Sequence, residues 1–242
     1  MWEIYDSLIS GIPAERRVES VFVGNCWTVV TADDGTMGAA MTTHLSTMPQ
    51  LRSDYTGVPL RELAGCIKSW NLIEAGIGMA AINAWYNSAS RMEALQAAQG
   101  DARYCTFDIP VEGKHIVKVG HIRHQHEVFE KAASVVTLER EPMDGEYPDS
   151  ACEYIIPESD IVLITGSAFI NKTMPRLLEI AKGKTVIITG PSTPMAPQLF
   201  SFGVSRMAGM TVSDTEGMLN FIGTGIQGTP YRYGTRFCLT KI

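Results

Sequence analysis

Asp160-Ile161-Val162-Leu163-Ile164-Thr165-Gly166-Ser167, followed by Lys184-Thr185-Val186-Ile187-Ile188-Thr189-Gly190-Pro191-Ser192-Thr193-Pro194, decides the fold. Ile161–Ile164 and Val186–Ile188 are unbroken apolar runs rich in β-branched residues, as parallel strands covered on both faces require. Between them, Thr173 and Pro175 start a helix, Leu177, Leu178, Ile180 and Ala181 give it an apolar face, and Gly183 ends it. This is one βαβ unit. Both strands run into small loops, Thr165-Gly166-Ser167 and Gly190-Pro191-Ser192-Thr193. Ligands of an open parallel sheet sit outside the carboxyl ends of its strands, so the two loops are expected side by side at a ligand edge.

Working outward, the same pattern extends upstream and downstream. His115–Val119 reads as a strand closed by Gly120, Glu127–Ala133 as a helix, and Ser134–Leu138 as a second strand ending at Glu139. Met210–Val212 is a further strand, and the helix after it is capped by Ser213 with Glu216 at the third position. Thr235–Thr240 closes the series as an edge strand. Five or six short strands with intervening helices predict a Rossmann-like doubly wound parallel sheet over residues 113–242.

Residues 1–112 read as a small α+β domain. Trp2, Tyr5, Leu8 and Ile9 share a helical face, and Gly11 and Pro13 end that helix. Val18–Val23 and Cys26–Thr31 form a hairpin around Gly24-Asn25, and Asp33-Asp34-Gly35 turns the chain into Met37–Met41. A short helix from Pro59 precedes a long one from Asn71 to about Gln96, with Asn71 and Glu74 spaced as a capping box. Asn83 lies inside its apolar stretch, where a core amide bonded to backbone and a ligand contact are the competing readings.

The 242 residues are 45% hydrophobic and 19% charged, ordinary values for a globular protein. A net charge of −6 without clustered Lys and Arg argues against nucleic acid. Leu72–Tyr86 is interrupted by Glu74 and Asn83 and is too short for a membrane span. The acidic Met1–Asp6 start is not that of a secretory leader. Five widely spaced cysteines without a C-x-x-C pair fit a reducing, cytoplasmic location.

Two chemistries suit the ligand edge. Glu139 stands nineteen residues beyond Gly120, at the end of the second strand, where a nicotinamide-binding fold keeps its ribose acid. The later glycines of that fingerprint are missing, and His121 and Arg123 occupy the segment instead. That segment, His121-x-x-His124-x-His126, offers imidazoles suited to divalent transition metals. A plain polar loop is the competing reading. No Gly-x-Ser-x-Gly elbow marks a nucleophile. Should the Gly190–Pro194 loop lead into a helix, its N–H groups would cradle an anion.

Thr165-Gly166 with Asn171 and Thr173, then Gly190-Pro191-Ser192-Thr193-Pro194, Gly203-Val204 and Ala208-Gly209, resembles the heavy-metal chelation family. The resemblance covers nearly the whole chain and includes the Asn83 helix. It implies an enolase N-terminal-like domain ahead of a Rossmann-like domain, and a metal-binding role in the cleft between them. The expected function is therefore binding of a divalent transition or heavy metal, alone or with a small anionic molecule, without an assigned catalytic residue. His121, His124 and Glu139 are the candidate metal ligands. Asn83, Gly120, Glu139, Thr165, Gly166, Ser167, Asn171, Gly190, Pro191, Ser192 and Thr193 are the candidate ligand contacts. The alternatives are an enzyme with a nucleotide cofactor held by Gly120 and Glu139, and a small-molecule sensor whose domains close on a ligand. Sheet edges in both domains suit a homodimer.

Overall fold

The computed structural model describes residues 2–43, 51–99, 109–122 and 126–241. In the first part, helix α1 (Glu3–Ser10) precedes a meander of β1 (Val18–Val23), β2 (Trp27–Ala32) and β3 (Met37–Met41), and then α2 (Leu60–Ala64), α3 (Leu72–Tyr86) and α4 (Ala89–Ala94). The three strands form one antiparallel sheet in the order β1-β2-β3. For these three strands expectation and structure agree to within a residue.

The long helix expected from Asn71 to about Gln96 is instead two helices. The chain leaves helical geometry at Asn87 (φ −105°, ψ 34°), and the Ser88 hydroxyl restarts it by accepting from the Arg91 amide. The Asn71 cap is present, its Oδ1 accepting from the Ile73 and Glu74 amides at 3.0 and 3.3 Å. The Glu74 carboxylate accepts from the Ser69 hydroxyl, which accepts in turn from the Asn71 amide.

The second sheet contains β4 (Ala98–Gln99), β5 (His115–Val119), β6 (Ser134–Glu139), β7 (Tyr147–Pro148), β8 (Ile161–Thr165), β9 (Thr185–Thr189), β10 (Arg206–Val212) and β11 (Gly234–Thr240). Its order is β4-β11-β10-β9-β8-β5-β6-β7. The six strands from β5 to β10 pair in parallel, and their spatial order is that of a doubly wound sheet whose direction of winding reverses between β5 and β8. The crossovers carry α5 (Cys152–Ile155) before β8 and α6 (Met174–Ile180) before β9. The helix α7 (Thr215–Gly223) follows β10.

Three expectations are corrected. The Glu127–Ala133 helix is only a 3-10 turn at His126–Phe129, because Lys131 and Ala133 give their backbone bonds to Gly113 and Lys114. The helix after β10 is capped by Asp214, whose Oδ1 accepts from the Gly217 amide at 2.8 Å, while the Ser213 amide bonds Tyr233. The last strand is not an edge: β11 pairs antiparallel to β10 on one side and to β4 on the other.

The two parts share their core. On the small sheet, Val30 and Ala40 face the cluster that includes α3, whereas Trp27, Val29, Met37 and Ala39 pack on Met218 and Ile222 of α7. Both faces are thus covered, which is why β2 and β3 are buried almost throughout. Glycine is required at Gly38, where a Cβ would collide with the backbone of Ala80 and Ala84. Asn87 adds the polar tie. Its Nδ2 donates to the carbonyls of Thr193 (2.9 Å) and Met210 (3.1 Å), and its Oδ1 accepts from the Met195 amide (2.9 Å). Asn87→Ala is expected to destabilise the chain by about 3 kcal/mol, because buried backbone groups are left without partners. Urea unfolding measures this, and a loss below about 1 kcal/mol would mean that apolar packing alone holds the seam.

Candidate functional site

The reversal of winding between β5 and β8 places Gly120 and Thr165 side by side. Gly120 adopts φ +102°, and a Cβ there would lie 2.8 Å from Thr165 Cγ2 and 3.9 Å from Glu139 Oε2. Gly190 adopts φ +114°, and its corresponding position lies 3.9 Å from Thr165 Oγ1 and 4.0 Å from the Gly166 amide. Gly120, Glu139, Thr165, Gly166 and Gly190 therefore come together at the carboxyl edge. Side chains at either positive-φ glycine would be strained and would narrow the space beside Thr165.

At the β5–β6 end of this edge stands a charged cluster. Glu139 accepts from two backbone amides, His121 at Oε2 and Arg140 at Oε1, both at 2.9 Å. The His121 ring lies between two carboxylates: Nε2 is 2.8 Å from Glu146 Oε2, and Nδ1 is 3.6 Å from Glu139 Oε2. The Met143 amide also donates to Glu146, and that bond, followed by the one to His121, holds the Glu146 carboxyl below its ordinary range. Lys118, nearly buried in β5, has its amine pushed down by burial, with Glu146 opposing. Sequence reasoning paired His121 with Glu139 but missed Glu146 and Lys118. A lysine inside an otherwise apolar strand was the available signal for the latter.

The other described candidates make bonds to neighbouring backbone or side chains, although Asn83 Oδ1 and the Thr193 hydroxyl have no hydrogen-bond partner among the described residues. Ser192 and Thr193 are buried against β3 and the end of α3. The Ser192 hydroxyl accepts from the Met41 amide at 2.9 Å, and the Thr193 carbonyl bonds Asn87. Pro191 sits in the turn closed by the Thr193 amide on the Gly190 carbonyl, and the next helical segment is a 3-10 turn at Pro197–Phe202. No helix N-terminus therefore backs this loop, and the condition for that cradle is not met. Asn83 is fully buried, and its Nδ2 donates to the Ala39 carbonyl at 2.8 Å. Asn171 Oδ1 accepts from the Thr173 amide and hydroxyl at the start of α6, and Ser167 bonds the Thr165 hydroxyl at 2.9 Å. His124 lies outside the described residues.

The donor set tests the metal expectation. One imidazole and two carboxylates match a divalent ion of intermediate hardness such as zinc, nickel or cobalt. They do not match a thiophilic metal. Cys26, Cys66, Cys152 and Cys238 lie on separate elements, and burial pushes the Cys152 thiol up to about 11, away from the thiolate that soft metals need. Among the described residues no group of three or more His, Cys, Asp or Glu forms a ready-made cage. His121 and Glu146 are hydrogen-bonded to each other, and a metal would have to replace that bond.

These features define an α/β protein with a polar, partly acidic carboxyl edge on its parallel sheet. Residues 106–240 match the model of a family described as "putative heavy-metal chelation", and residues 5–86 match a second model with the same description. The chain belongs to that family. A protein of unknown function from Desulfitobacterium hafniense is similar in structure with a TM-score of 0.90 and 35% identity, covering 99% of this chain and 98% of that one. A second protein of unknown function, from Pyrococcus horikoshii, shares the fold at a TM-score of 0.80 and 24% identity, covering 98% of each chain. An uncharacterized protein of Methanocaldococcus jannaschii is 29% identical over 170 residues. That match covers 67% of this chain and 64% of the relative, less than two thirds of its length. Among the described residues no helix is long and apolar enough to cross a membrane.

The loop after β8 holds one more unusual group. Lys172 has φ +66°, its Nζ donates to the Ile170 carbonyl at 2.7 Å, and burial pushes its amine from 10.5 down to about 8. Between these two values the unfolded chain binds the extra proton, so this group makes stability rise with pH across that window. Below it the penalty for the buried charge is fully present. Lys172→Met is expected to stabilise the chain at pH 7 by on the order of 2 kcal/mol, discounted for residual exposure, and less as the pH approaches 10.5. Urea unfolding of both proteins at pH 7 and pH 10 checks this, and an equal difference at both pH values would refute it.

Proposed function

We propose that this chain binds a divalent transition metal at the carboxyl edge of its parallel sheet, in the cleft facing the first domain. The observation that carries the reading is the His121 imidazole held between the carboxylates of Glu139 and Glu146. His121 and Glu139 are the proposed ligands, with Glu146 as a third and His124 as a further donor from the same segment. Thr165, Gly166 and Gly190 would line the space for an anionic molecule that shares the ion. The family's description supports metal binding in general, and the donor chemistry narrows it to nitrogen- and oxygen-preferring ions. The first domain packs on this same edge through Met41 and Ser192, which supports a site between the two parts. Asn83, Ser192 and Thr193 serve the seam in this reading.

Equilibrium dialysis against zinc, nickel, cobalt, copper and cadmium, followed by elemental mass spectrometry, tests it. A single equivalent of a borderline metal should be retained in preference to cadmium. His121→Ala and Glu139→Gln should each weaken retention by about tenfold or more. Equal retention by wild type and His121→Ala would remove His121 from the site.

A nucleotide cofactor is the second reading, favoured by Gly120 and Glu139 at the first two strands of the doubly wound order. Both Glu139 oxygens already accept from backbone amides, so a ribose would compete for them. This reading predicts saturable binding of a nicotinamide cofactor, weakened in Glu139→Ala. Calorimetry without heat at millimolar cofactor would end it.

A further inference from the structure

Between the end of β8 at Thr165 and the start of α6 at Met174, the chain passes through a 3-10 turn at Gly166–Phe169 and then through Lys172 at φ +66°. Lysine has no intrinsic preference for left-handed geometry, so its surroundings must impose it. Hydrogen bonds on both sides do so. Asn171 Oδ1 accepts from the Thr173 amide at 3.1 Å and from the Thr173 hydroxyl at 2.7 Å. The Asn171 and Lys172 amides donate to the Ser167 and Phe169 carbonyls, both at 3.3 Å, and the Tyr5 hydroxyl also donates to the Phe169 carbonyl. The side chain held this way folds back on its own loop, with Nζ donating to the Ile170 carbonyl at 2.7 Å.

The other lysines are placed differently. Lys68 and Lys114 pair with the carboxylates of Asp6 and Asp160. Lys118 is nearly buried and feels the Glu146 charge. Lys131, Lys182 and Lys241 are exposed. Lys184 also donates to a carbonyl, that of Pro157, but in a bond open to solvent. Lys172 combines a partly buried bond to a neutral acceptor with no carboxylate partner among the described residues. A carbonyl accepts from an ammonium and from a free amine alike, so nothing at this amine holds the extra proton as a carboxylate would. Burial then lowers its pKa from 10.5 to about 8. Lys172 is nevertheless only half-buried, which leaves a small molecule a way in.

We propose that Lys172, pinned in its left-handed loop with Nζ on the Ile170 carbonyl, is a nucleophilic amine that condenses with small aldehydes or ketones to form an imine. A lysine amine freed of its proton is the nucleophile this chemistry needs. Its lone pair adds to the carbonyl carbon, a C=N bond replaces the C=O bond, and the carbonyl oxygen leaves as water with both amine hydrogens. Nothing is oxidised or reduced. Lys172 is none of the proposed metal ligands, and the inference stands whether or not the metal reading holds.

Trapping with a soluble aldehyde tests it on the whole chain. Pyridoxal is added at pH 7 and at pH 10, imines are fixed by brief treatment with sodium borohydride, and peptide mass spectrometry gives the initial rate at each lysine. At pH 7 Lys172 should be modified about tenfold or more faster than Lys182 and Lys184, whose amines lack its burial. At pH 10 that advantage should shrink, because ordinary lysines then also carry free amine. Lys172→Arg, which keeps a positive charge, should remove this product and leave the others unchanged. Modification of Lys172 no faster than of Lys184 at pH 7 would overturn the proposal. So would an advantage equally large at pH 10, since selectivity would then come from the probe and not from the amine. Both comparisons use the wild-type chain and stay decisive should Lys172→Arg fail to fold.

Discussion

The architecture depends on one amide. Asn87 is 2% exposed and spends both its donors and its acceptor on Thr193, Met210 and Met195. Carboxamides can donate and accept together, and here the three partners are backbone groups that water cannot reach. The bond to Met195 and the bond to Thr193 fix the end of the proline-rich loop, while the bond to Met210 fixes β10. The position of the loop relative to Thr165 and Gly120 follows from that anchorage. Asn87 also ends α3, so the residue that breaks the helix is the one that ties it to the loop after β9 and to β10.

Apolar packing makes the same join over a wider area. A three-stranded sheet needs cover on its buried face, and this one has α3 on one face and α7 on the other. The small residues Gly38, Ala40, Ala80 and Ala84 permit backbone contact between β3 and α3. A continuous buried cluster then runs from Tyr5 and Leu8 through Phe169 to Ile164 and Ile188. Tyr5 reinforces it by donating its hydroxyl to the Phe169 carbonyl at 3.1 Å, and burial raises that hydroxyl's pKa. The carboxyl edge of the parallel sheet is therefore built against a buried apolar seam.

Much of this was legible in the sequence, because strand period, turn glycines and caps are local signals. The hairpin at Gly24-Asn25, the turn at Asp33–Gly35 and the runs at Ile161 and Val186 all specify their own structure. The convergence of Gly120, Glu139 and Thr165 was legible too, since parallel strands deliver their ends to one edge. Asn83 drew notice as a polar residue in an apolar helix, yet Asn87, one turn on, was read as helix interior. Its partners lie more than a hundred residues away, and no local pattern reports them. The Ser192 hydroxyl was legible as special but not as spent on the Met41 amide, because composition cannot separate a group facing a ligand from one facing another part of the chain. Glu146 stands in a segment without period, and only the two-residue β7 brings it beside His121.

The pairing of β4 with β11 bears on how such a chain can be divided or recombined. A strand drawn from the first half serves as the selvage of the second half's sheet, hydrogen-bonded to Phe237 and Cys238. The two halves are thus interlaced, although each matches a family model of its own. A gene encoding only the second half would leave those two residues without a neighbouring strand on the β4 side and uncover the Met218–Ile222 face of α7. Inheritance as one continuous unit is the arrangement that this stitching favours.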